Sequence, residues 1–313
     1  MSLSSLGTML STDNAIILLA IASAFIGSSY LVCMSRVMKR EHAPSSLQVL
    51  VLSHFLAALA LLPFMKSNDF GLAQNSSIFL LVIAAAGFLV ISRMLYFYAY
   101  ARTDVATVAI FSPLTPIYVL LTGYILLGET ATFNEVAGLM VISLSIYVYF
   151  MRKGTSLANI ANWLEPFRQI ARSRAVLCAF LSTIPTAFAA IFQKELLLNH
   201  TNPVAFSFWL LLLIALIAGV ILMFKRSSVK LVSLTTLPIS FYAASLILLP
   251  LTHVLFSWLV LAKPTAIALV LQRTGIIFQI MLAYFIMHER EQIGRRIAIS
   301  LFIILGFSLI MLY

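Results

Sequence analysis

Thr103–Glu129 reads TDVATVAIFSPLTPIYVLLTGYILLGE, and Lys263–Glu289 reads KPTAIALVLQRTGIIFQIMLAYFIMHE. The two stretches lie 160 residues apart and align without a gap. Each opens at a polar break, runs through mostly apolar residues, and is interrupted midway, at Ser112–Pro116 and at Gln272–Gly275. Each then places an aromatic one turn before a closing Gly–Glu or His–Glu. Identities are confined to Ala106/Ala266, Ile117/Ile277, Tyr124/Tyr284 and Glu129/Glu289, so the comparison rests on layout. The chain reads as two copies of one unit, facing each other across a membrane.

Composition points the same way. Of 313 residues, 62% are hydrophobic and only 10% charged, and mean hydropathy is +1.06. A soluble domain carries about 25% charge. A membrane-spanning helix needs ~20 apolar residues, and ten runs qualify: Asn14–Ser35, Leu47–Met65, Ser77–Ala101, Val105–Gly128, Val136–Met151, Ala175–Leu198, Val204–Phe224, Ile239–Leu261, Thr265–Met287 and Ile297–Tyr313. The runs are continuous, whereas strands of a membrane barrel alternate with period two. The expected fold is therefore all-α, with ten transmembrane helices.

Net charge is +10, yet its placement speaks of orientation and not of nucleic acid. Fifteen of the twenty Lys and Arg fall in the odd-numbered loops, with Lys66, Lys194 and Lys263 on the opposite side. Arg93 and Arg273 fall within spans. Basic loops stay cytoplasmic, so ten spans put both termini outside. The basic side would also contact anionic lipids. Residues 1–13 carry no Lys or Arg, so no standard secretory signal is expected. Cys33 and Cys178 fall in spans and read as small packing residues, not as a disulfide framework.

The longest polar interruption divides the chain into residues 1–153, 154–174 and 175–313. Within it, Leu157, Ile160, Ala161, Leu164, Phe167 and Ile170 recur at helical spacing. An amphipathic helix on the inner membrane surface is expected, with Trp163 at headgroup level. Five spans on each side form an odd number, so the second copy must be inverted relative to the first. Inverted repeats mark secondary transporters, whose substrate sites lie near the midplane where the repeats meet.

Further residues carry a family resemblance. The third span ends Tyr98–Ala99–Tyr100–Ala101; Ser112–Pro113–Leu114–Thr115–Pro116 is followed by Leu127–Gly128–Glu129. Lys194–Glu195 sits near the end of the sixth span, and Gln272–Arg273–Thr274 precedes His288–Glu289–Arg290–Glu291. In these features the chain resembles the EamA-type ten-helix transporters of the drug/metabolite transporter superfamily, over nearly its whole length. The resemblance implies two five-helix repeats around a central cavity, lined by the first, third, fourth, sixth, eighth and ninth spans and opening alternately to each side. Arg273 departs from the apolar or proline residue that many relatives carry there.

Candidate site residues follow from what is costly in a membrane. Arg93 lies eight residues from its span end, ~12 Å at 1.5 Å per residue. It either snorkels to the surface or lines a wet cavity. Arg273 lies mid-span beside Gln272 and Thr274, where a charge costs at least ~2.5–3.5 kcal/mol unless partnered or solvated. Its fork of donors suits carboxylate or phosphate. His253 and His54 read either as interhelical spacers or as proton acceptors. Lys194 is a further binding candidate. Glu195 is the acid placed inside a span and hence a coupling candidate, against a plain interfacial role. Tyr30, Tyr96, Tyr98, Tyr118, Trp258 and Phe278 either line the cavity or pack. Pro113 and Pro116 kink the fourth span, because they remove two backbone donors. Glu129 and Glu289 end helices and read as structural, bonding to a neighbouring helix.

Other classes lack their motifs. No GxxxxGK[ST] loop occurs, so ATP hydrolysis is not expected. No His–Glu–x–x–His or clustered histidines occur, and no metal, cofactor or enzymatic chemistry is expected. The expectation is a secondary transporter or exchanger of a small anionic or zwitterionic metabolite, as monomer or homodimer, in the bacterial cytoplasmic (inner) membrane. The alternative is an exporter of amphiphiles or a lipid-headgroup flippase.

Overall fold

The computed structural model describes residues 13–41, 43–67, 69–70, 76–127, 132–151, 164–199, 202–225 and 233–311. These residues form helices and no strand. Ten helical segments are long and apolar enough to cross a membrane: Asn14–Met38, Ser46–Phe64, Ser76–Tyr100, Val105–Thr122, Phe133–Phe150, Arg174–Leu198, Pro203–Phe224, Ile239–Ala262, Thr265–Ile286 and Ile293–Ile310.

Local chemistry sets the starts. The Ser45 hydroxyl caps the second span by accepting from Gln48 N at 3.1 Å. Asn202 caps the seventh, with Pro203 in its first turn, where no N–H is required. Thr132 and Glu135 form a reciprocal capping box at the fifth. That box starts the helix at Phe133, ahead of the Val136 expected from hydropathy alone. The tenth span also starts early, at Ile293 and not Ile297. Arg295 and Arg296, counted as loop by charge, belong to its first turns, because Arg295 donates to Val148 O and Met151 O and Arg296 to Asp104.

The fourth span is broken outright, not kinked. Helix Val105–Ala109 ends, tight turns close from Phe111 N to Val108 O and from Ser112 N to Ala109 O, and a new helix runs Leu114–Leu127. Pro113 thereby falls in the turn just before the new helix and Pro116 in its first turn, whose N–H groups have no intrahelical partner in any case. The ninth span breaks at Thr274–Gly275, between Thr265–Arg273 and Ile276–Ile286. The eighth widens into a π turn over Ala244–Leu248, just ahead of Pro250.

The two halves are interleaved. The third span packs on the sixth, the second on the seventh, the fifth on the tenth, the first on the eighth and the fourth on the ninth. This scheme is unchanged when each span is exchanged for the one five later. Ser92 Oγ lies 2.8 Å from Ser182 O and 2.6 Å from Thr186 Oγ1, and Phe88 stacks on Phe188 and Phe192. The fifth and tenth spans touch backbone to backbone: a Cβ on Gly138 would stand 2.5 Å from Gly306 O, and one on Gly306 2.8 Å from Gly138 O.

Odd and even loops gather at opposite ends. At the odd end, Lys39, Asp104, Glu289 and Arg296 form one ion network. At the even end, Asn202 Nδ2 donates to Asp69 Oδ1 and Trp209 Nε1 to Asp69 O. Of the expected interfacial helix, Glu165–Arg172 is seen, with Phe167 exposed and Ile170 packed against the core. Trp163 and Glu129 lie outside the described residues.

Candidate functional site: a cavity between six spans

A cavity of about 90 Å³ opens where the breaks in the fourth and ninth spans meet the first, third, sixth and eighth. These are the six spans that the resemblance implies. The first supplies Ser23, Gly27, Ser28 and Tyr30; the third, Arg93; the fourth, Ser112 at its break. The sixth supplies Thr186 and Gln193, the eighth Thr252 and His253, the ninth Gln272, Arg273 and Gln279.

The break in the ninth span is what allows this approach. Ser28 Oγ donates to the Gly275 carbonyl at 2.9 Å, which also accepts from Gln279 N at 2.9 Å, with Ala24 O at 2.7 Å as the hydroxyl's other acceptor. A Cβ on Gly275 would stand 2.9 Å from that hydroxyl and 3.0 Å from Ala24 O. Irregular backbone at membrane depth persists only against protein or a watered cavity; here packed protein and the void both border it.

Arg93 and Arg273 face this void without partners. The Nε of each is buried and unbonded, and neither guanidinium makes a hydrogen bond or ion pair among the described residues. Both side chains retain some accessible surface although protein surrounds them, because that surface is the cavity wall. They are near enough for Arg93 to act electrostatically on Arg273. Among the described residues, no Asp or Glu belongs to the wall. Arg296 makes the contrast. Its side chain is 4% exposed, and it meets Asp104 at 2.6 Å and Glu289 at 3.8 Å.

A polar row leads from the wall into the second span. Tyr30 Oη donates to Ser53 Oγ at 3.2 Å, and Ser53 Oγ lies 3.1 Å from His54 Nδ1. His54 Nδ1 is 2.9 Å from Leu50 O, a pure acceptor, so Nδ1 carries the proton. His54 Nε2 and His253 Nε2 are buried without partners. His54 therefore stands behind the wall and His253 in it.

Other expected residues lie elsewhere. Lys194 donates to Val260 O and Lys263 O at 2.5 and 3.0 Å, which anchors the sixth span to the eighth–ninth loop. Glu195 is exposed near the end of its helix and Trp258 is half-buried, both outside the wall. Tyr96 is buried edge-on to Tyr100, with its hydroxyl unbonded. Tyr98 lies under the Arg102 guanidinium, 3.9 Å from it, and Phe278 meets Phe25 at 5.5 Å. Tyr118 packs in the core, outside the wall. Glu289 accepts from Val105 N at 3.0 Å and Ala106 N at 3.3 Å, and so caps the fourth span.

Gln193 and Gln279 are among the wall residues not singled out from the sequence, with Ser23, Thr186 and Thr252. Helical phase is the signal that finds them. Thr186, Ala189, Ala190 and Gln193 recur at three to four residues, as do Gln272, Ile276 and Gln279. Lys194 and Glu195 are rotated away from that stripe.

Residues 14–151, which hold the first five spans, match the EamA-like transporter family. No curated protein matches the chain. One solved crystal structure of a protein is similar with a TM-score of 0.63 at 15% identity, covering 95% of this chain and 96% of its own. At that identity the likeness shows the fold alone, and it extends over both halves. With ten helices long and apolar enough to cross a membrane among the described residues, the chain is a multi-pass membrane protein, and the match of its first half to the EamA-like transporter family indicates a membrane transporter of the drug/metabolite kind.

Proposed function

We propose that the protein is a secondary transporter or exchanger that moves a small organic anion or zwitterion by alternating access. One observation carries this reading: two arginines, one from each half, border the same cavity, and no carboxylate among the described residues lies in its wall. Guanidinium stays charged at all relevant pH. Carboxylate or phosphate oxygens are its complementary partners.

The span pairing, symmetric under exchange of the halves, supports two oppositely oriented repeats that rock about this point. The cavity has room for only several waters, since each needs about 10–15 Å³ of such space. A metabolite must therefore part the walls, as an alternating mechanism requires. The basic loops at the odd end support a cytoplasmic placement of that end in a bacterial inner membrane, with both termini outside.

Reconstitution tests the reading. Proteoliposomes should take up labelled amino acids or organic acids unchanged in structure, and Arg273→Ala should lower that uptake at least tenfold. Anion uptake that survives the substitution intact would refute it. Preferential movement of a labelled amphiphile would favour an exporter or flippase instead.

A further inference from the structure

We infer that the cavity takes a solute carrying two negative charges on one compact body, a phosphate monoester or a short dicarboxylate, held between Arg93 and Arg273. The inference rests on the reading of this cavity as the transport site. It starts from charge. Arg93 and Arg273 are both permanently positive, line one void of about 90 Å³, and have no bonded partner among the described residues. The described acids nearest in sequence to the cavity spans, Asp104, Glu195 and Glu289, sit at span ends, two of them in the Arg296 network.

This protein neutralises a buried arginine where the role is structural: Arg296 has two carboxylates. In the cavity it leaves two guanidinium groups uncompensated and near enough to repel. A monoanion would offset one and leave the other buried and bare. A dianion offsets both, and because the arginines come from different halves it also draws the halves together. Gln272 and Gln279 add neutral amide donors beside Arg273, so further anionic oxygens have partners.

The test uses shape-matched probes on the purified full-length protein. Methyl phosphate is a dianion at pH 7.5 and mostly a monoanion at pH 5.0, since its second pKa is about 6. Methyl sulfate has the same shape and stays a monoanion. Malonate and its monomethyl ester make the dicarboxylate pair. At pH 7.5 at least one dianion should bind roughly tenfold or more tighter than its monoanionic partner. Whichever pair shows the gap names the source of the charge. Methyl phosphate affinity should fall about tenfold at pH 5.0 if the phosphate is recognised.

The titratable groups within electrostatic reach of the arginines are Tyr30 and His253 in the wall and His54, Tyr96 and Tyr100 behind it. Protonation of a histidine would strengthen anion binding in acid, the opposite sign, and would act on methyl sulfate too. Arg93→Gln and Arg273→Gln should each bring the dianion-to-monoanion ratio towards one, while Arg273→Lys should keep part of it. Equal binding within both pairs, or binding of the monoanions alone, overturns the proposal. Uptake of zwitterions or monoanions without any dianion preference would overturn the dianion and leave the transporter standing. Failure of every solute to bind or cross would overturn both.

Discussion

Replacing Glu289 with glutamine should loosen the odd-loop end of the bundle. The carboxylate is 7% exposed and holds four groups at once. Oε1 accepts from Lys39 Nζ at 3.1 Å and Val105 N at 3.0 Å; Oε2 accepts from Ala106 N at 3.3 Å and faces Arg296 at 3.8 Å. It thus joins the ends of the first and ninth spans to the starts of the fourth and tenth. Glutamine fits the space, but its amide would point a donor at donors. The lost cap is worth about 1 kcal/mol. The Lys39 pair is partly buried, with lysine 26% exposed, and adds about 1 kcal/mol. Breaking a buried pair costs 3–5 kcal/mol when the partner is left bare. Arg296 keeps Asp104, so only a fraction of that applies. The sum is roughly 2–3 kcal/mol. Unfolding in mixed micelles would measure it, with a double-mutant cycle against Lys39→Gln expected to give a coupling near 1 kcal/mol. A loss under about 0.5 kcal/mol, or strict additivity with Lys39→Gln, would refute the hub.

Three further substitutions probe packing and backbone. Gly138→Ala should destabilise by about 2 kcal/mol or more, since its Cβ would lie 2.5 Å from both Gly306 O and Ile310 Cγ1; Gly219→Ala, with nothing within 4 Å, should be neutral or gain up to about 1 kcal/mol. Fluorescence-detected size exclusion after heating would rank the two. His288→Gly should raise the thermal midpoint, because His288 holds φ 57° and a non-glycine residue there costs on the order of 1 kcal/mol. Ser28→Ala should lower stability by about 1 kcal/mol in the same assay, because it removes one of the two donors to the Gly275 carbonyl and leaves Gln279 N as the other.

Why some of this was legible in the sequence follows from the cost of polarity in lipid. Spans announce themselves as long apolar runs, and a charge or proline inside one is rare enough to be noticed. Arg93, Arg273 and the Gln272–Gly275 break all border the cavity, and Pro113 marks the break that brings Ser112 to it. What stayed hidden depends on neighbours. Phe192–Gln193–Lys194–Glu195 offers three polar side chains in a row, and charge drew the eye to Lys194 and Glu195. The void is met by Gln193, because the helix turns the Thr186–Ala189–Ala190 face inward; Lys194 finds two backbone carbonyls more than sixty residues away. Arg296 read as an ordinary loop cation, and its burial depends on Asp104, 192 residues distant. Burial alone thus says little about an arginine's role. Arg296 and Arg273 are the same residue type in comparably enclosed places, and they differ in whether the fold supplies the counter-charge. Where it does, the arginine fastens spans together. Where no counter-charge is found among the described residues, at two positions around one void, the proposed solute would bring the negative charge.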